Sequence, residues 1–145
     1  MFDDLYQEII IDHSKRPRNC REMKDANHRA DGHNPLCGDK LRLYLKIEGE
    51  LVTDASFEGS GCAISTAAAS LMTENLKGKT REQALALLDT FHELLTTDMP
   101  VRRDLGKLVV FCGVRDYPAR VKCATLAWHT LRSALATSVE LVCTE

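Results

Sequence analysis

Apolar and polar residues alternate in two rhythms along this 145-residue chain, and the change from one to the other predicts its elements. Phe2, Leu5, Tyr6, Ile9 and Ile10 recur at helical spacing, which predicts an N-terminal helix that has ended by Pro17 and Asn19. Residues 19–36 are polar and irregular, with a short strand expected around Asn27 to Asp31. Leu41, Leu43, Leu45 and Ile47 then alternate with polar neighbours, the signature of a half-buried strand. Glu48-Gly49-Glu50 supplies a turn, and Leu51, Thr53, Ala55 and Phe57 alternate again, so the two segments read as an antiparallel hairpin.

Strand gives way to helix at Gly59-Ser60-Gly61. From Cys62 the chain is rich in Ala and Leu to about Leu76 and stops at Gly78, a residue suited to a left-handed C-terminal cap. Thr80-Arg81-Glu82-Gln83 has the form of a capping box, and Ala84, Leu87, Leu88, Phe91, Leu94 and Leu95 continue behind it at helical spacing. The run Leu108 to Cys112 fits a buried strand or a buried helical turn equally well and is assigned to a short helix. After Pro118, Leu126, Ala127, Leu131, Ala134 and Leu135 predict a last amphipathic helix with Cys123 in its first turn. With no repeats, linkers or low-complexity segments, residues 1–145 read as one α+β domain, a small antiparallel sheet packed against several helices.

Composition narrows what this domain could do. A 44% apolar content is enough to build one core, and a net charge of −2 without a basic, aromatic-interleaved stripe argues against nucleic acid as partner. The N-terminus lacks the basic and apolar regions of a signal peptide, and no apolar run approaches a membrane span, so a cytoplasmic location is expected. In a reducing compartment six cysteines read as thiols or metal ligands rather than as three disulfides.

Three of those cysteines stand out. Cys37 lies in Asn34-Pro35-Leu36-Cys37-Gly38-Asp39, Cys62 follows Gly59-Ser60-Gly61, and Cys123 follows Arg120-Val121-Lys122. If Cys37-Gly38-Asp39 is extended, its period of two points sulfur and carboxylate to one face. Cys62, at a helix start, meets unpaired N–H groups and a macrodipole that favour a thiolate, and Cys123 is expected to do the same. Three thiolates and one carboxylate make the four ligands that zinc takes in tetrahedral sites, without histidine. Their combined charge stays negative even with a divalent ion, so Arg120, Lys122 and Lys40 are candidate compensating cations, with solvated surface positions as the alternative.

Other candidates are set aside. Cys20 sits among Lys15, Arg16, Arg18 and Arg21, a solvated surface or a docking patch for an acidic partner face. Cys112 reads as core and Cys143 as incidental. His13, His28, His33, His92 and His129 lack metal spacing, and His33 is the one near Cys37. Trp128 reads as a packing anchor.

The three cysteine blocks, in this order, resemble the signature blocks of the SufU branch of the IscU/NifU N-terminal family, and residues 5 to 19 are similar to that family's start. The likeness extends to about residue 136. It implies a SufE/NifU-like fold and a role in iron-sulfur cluster biogenesis, with Cys37, Asp39, Cys62 and Cys123 as ligands of Zn2+. Cys37 matches the cysteine that accepts a persulfide from a cysteine desulfurase of the SufS type, which uses pyridoxal phosphate. Arg120 matches a basic residue of the branch, and downstream iron-sulfur scaffold proteins would take the sulfur. Zinc would protect Cys37 as a thiolate until a side chain of the docked desulfurase takes its place.

Departures from the scaffold branch separate the alternatives. That branch carries His before its third cysteine, where this chain has Lys122, and a Leu-Pro-Pro-Val-Lys motif that is absent here. A helical insertion at roughly residues 78 to 100 is typical of the zinc-dependent sulfurtransferase branch. The resemblance thus implies a sulfurtransferase relay. The alternatives are a scaffold assembling a [2Fe-2S] cluster, or holding iron, on the same ligands, and a structural zinc module regulating a partner.

Overall fold

The computed structural model describes residues 3–34, 38–96, 108, 110, 111, 114, 117–136 and 141–143. Helix α1 spans Asp3–Lys15, followed by strands β1 (His28–Asn34), β2 (Asp39–Glu48) and β3 (Leu51–Ser60). Helices α2 (Ala63–Leu76), α3 (Arg81–Thr96) and α4 (Pro118–Ala136) come next, and a short strand β4 (Leu141–Cys143) closes the order. The sheet runs β3-β2-β1-β4, antiparallel except for the β1–β4 pair. The expected α+β arrangement is present.

Helices cover one face of the sheet. Helix α4 crosses β1 and β2, α2 packs on β3, α1 lies against α2, and α3 rests on α4. Leu41, Leu43, Leu45 and Ile47 of β2 are buried as their alternation predicted, together with Phe91, Leu94, Trp128 and Leu131 from the helices. Trp128 is the packing anchor the sequence suggested: its ring stacks on Phe91 at 4.7 Å, and Phe91 meets Phe111 edge-on at 5.6 Å. Buried His13 ties α1 to α2, its Nδ1 2.7 Å from Ser70 Oγ.

Local chemistry explains the element ends. Thr80 Oγ1 accepts from Gln83 N–H at 3.1 Å while Gln83 Oε1 accepts from Thr80 N–H at 3.0 Å, the reciprocal capping box that opens α3. Gly78, just beyond α2, has φ +86°, a conformation that side chains disfavour. Leu108, Val110 and Phe111 adopt 3-10 helical conformation, in keeping with the helical assignment; Cys112 lies outside the described residues, as do Phe2 and the side chains of Leu5 and Tyr6.

Two expectations need correction. In β3, Leu51 (41% exposed) and Thr53 face solvent and Val52 is buried, opposite to the predicted alternation, whereas Ala55 and Phe57 face inward as expected. The cause is a bulge: Lys46 pairs with Asp54 but Ile47 pairs with Val52, so Thr53 is the extra residue and the inward phase flips there. Helix α4 begins at Pro118 itself, because proline's fixed φ and missing N–H suit a first helical position. Cys123 therefore lies in the second turn, inside the hydrogen-bonded helix, and gains no unpaired N–H from the helix terminus. Among the described residues no helix is long and apolar enough to cross a membrane.

Candidate metal centre

Asp39 opens β2 with no exposed surface, opposite Asn34 in the β1–β2 ladder. One carboxyl oxygen, Oδ1, accepts the N–H of Cys62 at 2.9 Å. The other, Oδ2, is buried and has no hydrogen-bond partner among the described residues. Burying a carboxyl oxygen without a partner costs on the order of 1–3 kcal/mol or more. Such an atom calls for a cation.

Two sulfurs stand beside it. Cys62 is the N-cap of α2, with extended backbone (φ −73°, ψ 169°), and its Sγ accepts the N–H of Ser65 at 3.4 Å. Gly59 and Ser60 belong to β3 rather than to the expected turn, and Gly61 alone links the strand to Cys62, which still stands where the sequence placed it, at the start of a helix. Cys123 arrives from α4, fully buried, with the Nδ2 of Asn34 donating to its Sγ at 3.9 Å. One ligand atom from each of Asp39, Cys62 and Cys123 lies within 4.8 Å of the others. Bonds of about 2.0–2.3 Å to a shared ion would separate such atoms by roughly 3.3–3.8 Å, so a small inward shift suffices. One hard carboxyl oxygen and two soft sulfurs are three of the four ligands that zinc takes in a tetrahedral site.

Arg120, exposed and one turn before Cys123, faces this cluster: its pKa is raised, first by charge on Cys62 and then by charge on Cys123. The other two expected cations do not join it. Lys40 follows Asp39 in a strand and so points to the opposite face, while Lys122 precedes Cys123 by about 100° of helix. Cys37 lies outside the described residues.

The remaining candidates fall elsewhere. Cys20 is exposed, and burial of part of its surface followed by the charge of Glu58 raises its thiol pKa, the reverse of activation. Arg18 and Arg21 near it are engaged by Asp12 at 2.6 Å and Asp54 at 2.7 Å, which weakens the basic stretch as a docking patch. Cys143 pairs with His33 through the backbone at the sheet edge. His92 and His129 meet edge-on across α3 and α4 at 5.7 Å, a contact their sequence spacing does not reveal.

Two contributors were missed in the sequence. Asn34 was read only as part of a motif, and Gly61 only as a turn residue. A Cβ on Gly61 would lie 2.4 Å from Asp39 Oδ1, so a glycine is required for the carboxyl to reach the Cys62 N–H. Gly61→Ala is expected to displace Asp39 and weaken zinc retention at least tenfold, as measured by competition with a chromogenic chelator. Unchanged affinity would show that Asp39 does not need its present position.

Comparison with known proteins gives this arrangement a context. Residues 5–136 match the NifU-like N terminal domain family. The zinc-dependent sulfurtransferase SufU of Bacillus subtilis (strain 168) is 44% identical over 135 residues, covering 92% of this chain and 91% of that protein. The iron-sulfur cluster assembly scaffold protein IscU of Streptococcus pyogenes serotype M1 is 40% identical over 135 residues, 92% of this chain and 84% of that protein. Among solved structures, a candidate iron-sulfur cluster assembly scaffold protein for the SUF system from Fervidobacterium islandicum AW-1 superposes with a TM-score of 0.84 at 37% identity, covering 88% of this chain and 94% of that one.

Proposed function

The chain belongs to the NifU-like N-terminal domain family, and from that premise we propose that it serves iron-sulfur cluster biogenesis as a zinc-dependent sulfurtransferase. The observations that carry this reading are the clustering of a carboxyl oxygen of buried Asp39 with the sulfurs of Cys62 and Cys123, and an Asp39 Oδ2 without a hydrogen-bond partner among the described residues. In the proposal Asp39, Cys62 and Cys123 hold Zn2+ with Cys37 as the fourth ligand. Cys37 is two residues from Asp39, within about 7 Å of it along even a fully extended chain, so it can share the same ion. Zinc, when bound, keeps its thiol ligands deprotonated at neutral pH.

Cys37 is the acceptor. Its thiolate attacks the outer sulfur of a persulfide carried by a cysteine desulfurase; the partner's S–S bond breaks, its thiolate leaves with the electron pair, and a new S–S bond forms on Cys37. No net oxidation occurs. Arg120, exposed at the rim and facing both sulfurs, supports the step by offsetting the negative charge of the site. Downstream iron-sulfur scaffold proteins then take the sulfur. Cysteines used as metal ligands rather than in disulfides are in keeping with a cytoplasmic location, and the match over residues 5–136 supports reading residues 1–145 as a single domain.

A second reading keeps the same ligands and makes the protein a scaffold for a [2Fe-2S] cluster, favoured by the 40% identity to an IscU protein. One experiment separates the two. The protein, purified without air, is mixed with a cysteine desulfurase and L-cysteine and weighed by native mass spectrometry. A colourless protein with one zinc that gains the mass of one sulfur atom on Cys37 is expected. A brown protein whose mass gain corresponds to a cluster would favour the scaffold.

A further inference from the structure

Of the five histidines, His13 and His28 are engaged through Nδ1, 2.7 Å from Ser70 Oγ and 2.8 Å from the Ala134 carbonyl oxygen. His92 and His129 instead face each other across the α3–α4 contact, ring centroids 5.7 Å apart and planes inclined at 66°. Each follows directly on a member of the stacked pair, Phe91 and Trp128, that docks the two helices. His92 is exposed and His129 half-buried, so the pair opens to solvent on one side. Neither helix supplies both rings, and the pairing exists only when α3 lies on α4.

We propose that His92 and His129 form an exchangeable site for a borderline divalent metal ion, of the class of Ni2+ and Zn2+, which clamps α3 onto α4 when it binds. Two imidazole nitrogens about 2.0–2.1 Å from one ion at a tetrahedral angle place their ring centroids roughly 5–5.5 Å apart. The observed separation is close to that, and a small rotation of the exposed His92 side chain closes the difference. Imidazole suits Zn2+, Ni2+ and Cu2+, whereas Mg2+ and Ca2+ take oxygen ligands. Two protein ligands leave the remaining coordination positions to water, so the ion exchanges more readily than at a site closed by four side chains.

The surroundings favour the ligand form of the rings. Metal binds neutral imidazole, and burial, followed by the charges of His92 and Arg132, lowers the pKa of His129. Arg132, which would repel an incoming cation, is offset by the carboxylate of Asp89 at 2.7 Å. His129 lies six residues after Cys123, about 9 Å along the axis of α4, so the clamp holds the same helix that delivers Cys123 to the first centre.

Ni2+ titrated into the protein carrying one zinc per chain tests the site, with affinity read by calorimetry and position by paramagnetic broadening in 1H–15N spectra. One Ni2+ per chain is expected, with broadening strongest around His92 and His129. His92→Ala and His129→Ala should each weaken binding at least tenfold, and the double variant should bind no more weakly than either, because losing one imidazole already destroys the chelate. Ni2+ should raise the melting temperature of the wild type and leave that of His92→Ala unchanged. Unchanged affinity in His92→Ala, or broadening centred away from this pair, overturns the proposal. Should the half-buried His129 not tolerate replacement, His92→Ala decides alone, since its exposed ring can be removed without disturbing the core. Sulfur transfer plays no part in these readouts, so the outcome is separate from that of the function proposed above.

Discussion

Cys37→Ser is expected to reduce sulfur acceptance from a cysteine desulfurase by roughly a hundredfold or more, to the background of the assay, while the domain remains folded. The reason is chemical: a serine hydroxyl is not ionised at neutral pH and does not attack a persulfide, whereas the nucleophile in such exchange is the thiolate. The fold should tolerate the change, because the core is assembled by β2, β3 and the helices and serine keeps nearly the size and shape of cysteine. Persulfide formed per turnover, read by mass spectrometry, and melting temperature, read by circular dichroism, check the two halves together. Undiminished transfer would move the acceptor role to another thiol. Cys62→Ser and Cys123→Ser offer the contrast, since on this reading they lose transfer by losing zinc, and their metal content should fall with their activity.

The contrast between Cys37 and the other two cysteines also marks how far the sequence could be read. Local signals survived: the capping box at Thr80, the cap at Gly78 and the thiol of Cys62 after Gly-Ser-Gly depend on neighbours within a few residues, and each is where the pattern placed it. The inward phase of β3 was lost at Thr53 because a bulge depends on how two strands pair, and alternation within either strand does not encode it. Strand β4 escaped notice because three residues carry no periodicity and its pairing with β1 spans most of the chain. The cluster of Asp39, Cys62 and Cys123 was legible from residue type and motif order. Its supports were not: the Asn34 amide reaches Cys123 and the Cys62 N–H reaches Asp39 only after the sheet and helices have assembled. Chemistry-bearing residues declare themselves by type, while the groups that aim them are ordinary residues made special by packing.

Asp39 yields the second large effect, and it appears as a difference between two thermal shifts. Removing zinc from the wild-type protein leaves Asp39 Oδ2 buried with no hydrogen-bond partner among the described residues, in a cluster whose two sulfurs have also lost their common partner. Metal bound at a hundred times its dissociation constant stabilises the folded state by about 2.7 kcal/mol, which for a domain of this size corresponds to a fall on the order of 10 °C when a chelator strips it. Asp39→Asn keeps the shape of the side chain and an oxygen for the Cys62 N–H but replaces Oδ2 with an amide nitrogen that cannot bind a cation. The variant is expected to hold zinc at least tenfold more weakly and to lose only a few degrees on chelation. Its metal-free form should melt at or above the metal-free wild type, because the unpartnered carboxyl oxygen is gone. Calorimetry of both proteins with and without chelator gives the four temperatures required. A chelation shift in Asp39→Asn as large as that of the wild type would mean that Asp39 does not bind the metal, and the orphaned oxygen would then need another explanation.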